Sequence, residues 1–228
     1  MKKGTTIQPQ TETKQPEKKN KINYITMFCL FMSGNLLGVL MEGIFCKIAH
    51  GHWETHVVTL WGPFNLLYGF AAAVLYAGAV LMRDKNVAVQ FVTFAAIATA
   101  LELAAGLLLE FGMKMRAWDY TKSFLNVRGH ICLKMTLAWG LLGVLFAHFA
   151  VPPAEKLLEK AQNRAVKTVC VALTAFMAVN IGVTAMSMAR WAQRRSGKEP
   201  RSKIERTLDE KYNDEFMQRR FIEWIPLS

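Results

Sequence analysis

Charge is scarce through the middle of this chain. Of its 28 Lys and Arg, 16 lie in residues 1–21 and 190–228. The stretch between them holds twelve basic and eight acidic residues, nearly all in short gaps. A soluble domain spreads charge over the wet face of every surface helix, so this segregation excludes that class and indicates lipid-solvated segments. Mean hydropathy is only +0.17 because polar tails dilute an apolar middle. Catalytic motifs are missing as well. There is no GxxxxGK[ST] phosphate loop, no GxSxG and no HExxH, which leaves no phosphate-loop ATPase and no recognisable serine or zinc hydrolase in the chain. The four cysteines, Cys29, Cys46, Cys132 and Cys170, show neither a CxxC nor a zinc-ligand spacing and read as small buried hydrophobes. The net charge of +11 comes without a base-stacking aromatic platform. Basic residues beside apolar runs anchor a chain to anionic lipid, so no nucleic-acid partner is assigned.

What is present predicts an all-α, polytopic transmembrane bundle of about five hydrophobic segments. Residues 1–21 read as a disordered basic tail, 22–189 as the transmembrane helical domain, and 190–228 as a basic, partly helical tail. The first segment holds 25 residues between Lys21 and Lys47 with one charge, Glu42, and carries the close-packing spacing Gly34-xxx-Gly38. The second, Val57 to Met82, is uncharged but contains Gly62-Pro63, which should break the helix. The third runs from Val87 to Met113. The fourth runs from about Ile131 to Val151, with Pro152-Pro153 expected to end it, and the fifth from Thr168 to Ala189. In the tail, Ser202 to Glu205 reads as a capping box, and the apolar residues beyond it suit a helix lying on the membrane surface or an ordinary packed one. Five full crossings would separate two basic tails. The positive-inside tendency therefore predicts a re-entrant second segment and both tails on the cytoplasmic face.

Three carboxylates, Glu42, Glu102 and Glu110, lie inside apolar runs. Each costs about 2.5–3.5 kcal/mol at the centre of an isolated inserted helix, so each should face protein or water and is a candidate for a substrate or ion path. Arg116, Arg128 and Lys134 are the nearest cations, and pairing with them is the structural alternative. The loop Trp118-Asp119-Tyr120, with Asn126, Arg128 and Gly129, is rich in side chains that fix geometry. Asp119 suits a cap or an Arg pair, and Gly129 a positive φ. His50, His52, Glu54 and His56 precede the second segment; alternate spacing would put His52, Glu54 and His56 on one side of an extended strand as a metal site, but the arrangement is not HExxH, and a solvated loop is the preferred reading. No metal and no cofactor are assigned.

Several of these pieces resemble one bacterial permease family, the CmpB-type membrane proteins described as "putative ABC-transporter type IV". The matching pieces are Gly38 to Glu42, Trp61-Gly62-Pro63 with Tyr68-Gly69, and Glu102 to Gly106 with Glu110. Trp118-Asp119-Tyr120 with Asn126 and Gly129, Trp139-Gly140 and Pro152, Ala189-Arg190, and Tyr212 to Met217 complete the pattern, which covers roughly residues 28–222. Val39 and Leu66 depart from the family's usual Trp and Pro. The resemblance implies a multi-pass protein of the bacterial cell membrane: a permease-like transport subunit in the lipid bilayer, working with a separate ATPase. On that reading the chain is not itself an enzyme, a point the residues leave open. The alternatives are a non-catalytic membrane scaffold or sensor, and a membrane-embedded enzyme acting on a lipid-linked substrate at the face bearing Asp119, Asn126 and Arg128.

Overall fold

The computed structural model describes residues 22–226; the tail expected at 1–21 lies outside the described residues. Helix α1 spans Tyr24–His50, α2 Leu66–Leu81 and α3 Val87–Leu107, the last continuing as a π-helical turn over Leu108–Met113. Helix α4 (Leu133–Leu145) passes through a second π-turn, Phe146–Ala150, into α5 (Val151–Lys160), and α6 covers Arg164–Arg195. The tail forms α7 (Lys203–Lys211) and α8 (Asp214–Arg220). A two-residue strand β1 (Met115–Arg116) pairs antiparallel with β2 (Ile225–Pro226). Asparagine caps most of these starts: the side chains of Asn23, Asn65, Asn86, Asn163 and Asn213 each accept a backbone N–H of the first turn. Ser202 caps α7 as predicted, while Glu205 reaches back to the Arg201 amide, one residue before the cap.

Four continuous helical stretches, Tyr24–Ala49, Val87–Met113, Leu133–Lys160 and Arg164–Arg195, are long and apolar enough to cross a bilayer. Between 17% and 33% of their most apolar windows is buried within the protein. The rest, including Leu37, Phe45, Ile48, Val92, Phe149 and Val179, is exposed, and a face that apolar is covered by lipid, not water. α2, with 16 residues, is shorter. It packs closely on α1, because a Cβ on Gly34 would come within 2.6 Å of Ala72 Cβ and Tyr68 O. The small-xxx-small spacing makes that α1–α2 contact.

The fourth segment does not end at Pro152-Pro153. The helix continues to Lys160, because the π-turn over Phe146–Ala150 shifts the register and leaves both prolines in a first turn, where no N–H is needed. The fifth segment likewise runs past Ala189 to Arg195, so the boundary drawn at 189/190 falls inside α6.

The second segment crosses in two halves. After His50 the chain turns back non-helically to Asn65, whose N–H donates to Asn35 O at 3.4 Å. Asn35 lies about 22 Å below the end of α1, at 1.5 Å per residue. From there α2 completes the passage. The other helices fix its direction: Tyr24 Oη meets Thr174 Oγ1 at 2.6 Å and Gln162 donates to Thr26 Oγ1 at 3.2 Å, so α1 and α6 start at the same end. The C-terminal tail leaves from the far end of α6. The start of α1 and the C-terminal tail therefore lie at opposite ends of the bundle, and the second segment is a crossing and not the re-entrant one expected; the N-terminal tail lies outside the described residues. Gly62-Pro63 breaks the helix without turning the chain back out.

Non-helical backbone at this depth needs partners from protein. The Leu60 N–H donates to Thr184 Oγ1 at 2.9 Å. Asn180 takes both groups of Trp61, accepting its N–H at 3.2 Å and donating to its carbonyl at 2.8 Å. Arg220 of α8 donates to Thr59 O at 2.8 and 2.9 Å and also reaches Gly62 O. The tail is thus packed into the fold. Met217, Phe221 and Trp224 join Leu60, Met115, Met188 and Trp191 in one buried core. A second core, with Leu30, Leu75, Tyr76 and Phe94, holds the opposite end. Outside the tail core, Asp209 bridges Arg190 (2.5 Å) and Arg194.

Two outcomes follow. Asn180→Leu orphans the Trp61 N–H and removes one of two donors from the Trp61 carbonyl, which keeps Thr59 Oγ1 at 3.0 Å; an orphaned buried group costs about 1–3 kcal/mol, so thermal unfolding in detergent should show a clear loss, with Thr184→Val, which removes a single hydrogen bond, losing less. Asp209 is held below its ordinary value by the Arg190 hydrogen bond, with Arg194 adding to it against burial. A depressed carboxylate stabilises the fold above its unfolded value and loses that contribution as pH falls through the folded one. The tail should therefore become protease-sensitive as pH drops below about 4, and Asp209→Asn should make it so at neutral pH.

Candidate functional site

Glu102 sits on α3 with 3% of its surface exposed. Its Oε1 accepts from Tyr120 Oη at 3.1 Å and its Oε2 from Trp139 Nε1 of α4 at 3.0 Å. Both partners are neutral. An acid in that setting keeps two hydrogen bonds and no counter-charge among the described ion pairs. Beside it, Tyr68 of α2 stacks edge-on against Trp139 at 6.4 Å and donates its hydroxyl to Glu42 Oε2 on α1. Four helices thus contribute two hydrogen-bonded groups, Glu42–Tyr68 and Trp139–Glu102–Tyr120, joined by that ring contact into one polar chain. Tyr68, Glu102 and Trp139 also border a cavity of about 20 Å³, otherwise lined by Leu67, Leu75 and Leu101; that is room for a single water.

Glu110 differs. It lies in the π-turn that closes α3. There it stands between two arginines and a histidine, with Arg128 Nη2 at 2.7 Å, His130 Nε2 at 2.5 Å and Arg116 Nη2 at 3.7 Å. Of the three predicted acids, then, Glu42 and Glu102 share a polar chain, while Glu110 takes the structural alternative and is paired with Arg.

The predicted loop is built by its own side chains. Asp119 accepts the Thr121 amide at 2.9 Å, and that backbone bond holds its carboxyl below the ordinary range; Arg116 faces it at 3.3 Å. Asn126 donates to Thr121 O and Ser123 O and accepts the Gly129 amide at 3.2 Å. Trp118 Nε1 donates to His130 O at 2.8 Å. Gly129 has φ +74, and a Cβ there would meet Thr121 Cγ2 at 2.7 Å and Asp119 Oδ1 at 2.8 Å. Of this loop, Tyr120 alone reaches the Glu102 chain; Arg128 reaches Glu110. Gly62 and Pro63 lie in the non-helical half of the second crossing, at the Arg220 contact.

The family model described as "Putative ABC-transporter type IV" matches residues 29–185, well over half the chain. The chain belongs to this family. No curated protein and no solved structure matches it. The ABC-transporter type IV match includes Glu42, Tyr68, Glu102, Tyr120 and Trp139, the whole polar chain. It stops before the tail, whereas the resemblance was expected to reach 222; α7 and α8 are outside it. The transporter family and the four membrane-capable helices make this a transporter-like membrane protein.

Attention to charged residues alone missed several of these partners. His130, 1% exposed and packed over Gly106, carries no sequence signal beyond lying near Glu110. Asn35, Asn180 and Thr184 were visible as polar residues inside uncharged runs. Gly129→Ala should destabilise the loop by about 1–3 kcal/mol through strained backbone, read as a lower melting temperature and faster proteolysis between α3 and α4.

Proposed function

We propose that this chain is a permease-like subunit of a transporter, with the Glu42–Tyr68–Trp139–Glu102–Tyr120 chain lining the route of a polar solute or cation and a separate ATPase supplying the energy. The observation that carries this is Glu102: a carboxylate nearly sealed in the apolar bundle and held only by neutral donors. A structural acid is more cheaply kept with a cation beside it, as Glu110 is. Tyrosine and tryptophan donors hold Glu102 in place without neutralising it. An arriving cation or proton can therefore do so, and intramembrane acids of this kind mark transport paths. The chain carries no phosphate loop of its own, so hydrolysis is assigned to a partner. The proposed location is the bacterial cell membrane, with residues 22–189 as the membrane domain and the tail as an accessory that locks the second crossing.

Crosslinking in the native membrane, followed by purification in mild detergent, should recover a nucleotide-binding ATPase. In vesicles holding both proteins, Glu102→Gln should leave assembly intact and reduce transport-coupled ATP hydrolysis to background. Recovery of no ATPase, or full coupling in the variant, would overturn the proposal.

A further inference from the structure

A second cluster lies at the tail end of α1. Glu42 and Cys46 are one turn apart on one helix face, and the non-helical segment after α1 brings His56 against them. One donor atom from each of the three lies within 4.8 Å of the others. We propose that Glu42, Cys46 and His56 bind one borderline divalent cation of the Zn²⁺ type, a site separate from the Glu102 end of the polar chain.

The donor set selects the metal. A thiolate, an imidazole and a carboxylate suit Zn²⁺ and its neighbours, whereas Mg²⁺ and Ca²⁺ require oxygen. With Cys46 and Glu42 both anionic, the dication is exactly balanced in charge only when both bind, which favours the full set at the edge of a low-dielectric region.

The surroundings are built as a metal's outer shell is built. His56 Nδ1 is buried without a hydrogen-bond partner and faces Glu42 Oε1 at 3.9 Å. Its other nitrogen, Nε2, lies 3.4 Å from Glu54 Oε2. A carboxylate on the far nitrogen is what orients a metal-bound histidine. Glu54 is itself held by His52 Nε2 at 2.6 Å. Glu42 is arranged in the same way, with Oε2 taken by the Tyr68 hydroxyl and Oε1 turned to the cluster. The His56 backbone adopts φ +44, unusual for a residue with a side chain, and Asn65 Nδ2 pins its carbonyl at 2.9 Å. Cys46, 2% exposed, points its thiol at Glu54 Oε2, 3.5 Å away.

Ligand atoms around tetrahedral zinc stand about 3.3–3.7 Å apart, so binding draws the three donors closer than the 4.8 Å within which they now lie and turns the Cys46 thiol away from Glu54 Oε2. Binding forms three metal–ligand bonds and breaks the Cys46 S–H bond, releasing that proton to solvent. A fourth position stays open to water.

The test uses the full chain, purified in mild detergent and stripped with chelator, then titrated with Co²⁺ as the spectroscopic probe. One equivalent should give a thiolate-to-cobalt charge-transfer band, which Zn²⁺ then removes. Cys46→Ser should abolish the band, and Cys170→Ser should keep it. His56→Ala should weaken binding at least tenfold and Glu54→Gln by about 10–100-fold; both lie outside helices and report on the site if Cys46→Ser fails to fold. Absence of the band in the native chain, or its persistence in Cys46→Ser or undiminished affinity in His56→Ala, would overturn the site. None of these readouts depends on transport or on an ATPase, so either proposal can fail alone.

Discussion

A peptide group inside a bilayer has no water to turn to, and this fold is organised around one stretch that faces that constraint. Between His50 and Leu66 the chain descends into the bundle without forming a helix. Its amides and carbonyls are supplied by Asn180 and Thr184 from the middle of α6 and by Arg220 from the tail. Those residues look unremarkable in isolation: two small polar side chains in an apolar helix and one arginine among many. Their placement becomes intelligible once the orphan backbone is counted. The same need explains why the tail is packed and not laid on the lipid surface. Its aromatic residues cover the core that Leu60 and Trp191 begin.

Polar residues elsewhere divide according to whether charge meets charge. Glu110 and Asp209 sit among arginines and serve to join elements: the loop to α3, and α7 to α6. Glu102 has only a phenol and an indole. Glu42 has a phenol on one oxygen and an imidazole 3.9 Å from the other. Glu110 and Asp209 thus serve the architecture, while Glu42 and Glu102 are left without an arginine.

Much of this was legible in the sequence, because hydropathy and charge segregation report directly on solvation. The five segments, the break at Gly62-Pro63, the Ser202 cap and the family all follow from residue order. What was not legible depends on three-dimensional register. Pro152-Pro153 reads as a stop, yet a π-turn makes it a continuation. An added residue in a helical turn leaves no mark in composition. Glu110 reads as an intramembrane acid of the same kind as Glu102, yet the fold brings Arg128 and His130, some twenty residues on, against it. The re-entrant reading of the second segment failed for a related reason: positive charge is a statistical guide to sidedness, while the shared starting end of α1 and α6 is fixed by the contacts of Tyr24 with Thr174 and of Gln162 with Thr26. Tyr68 was noticed as part of a motif, but nothing in one dimension shows that its hydroxyl reaches Glu42.

The distance along the chain between the buried segment and its partners also bears on how the molecule is made. Residues 57–62 leave the ribosome more than a hundred positions before Asn180 and Thr184, and later still before Arg220. Until those arrive, the first two helices flank a stretch of peptide that lipid cannot satisfy, so the early part of the nascent chain has reason to stay beside the insertion machinery. Its release becomes favourable only when synthesis is nearly over, which makes assembly of this bundle a late, concerted event and leaves truncated products exposed to quality control.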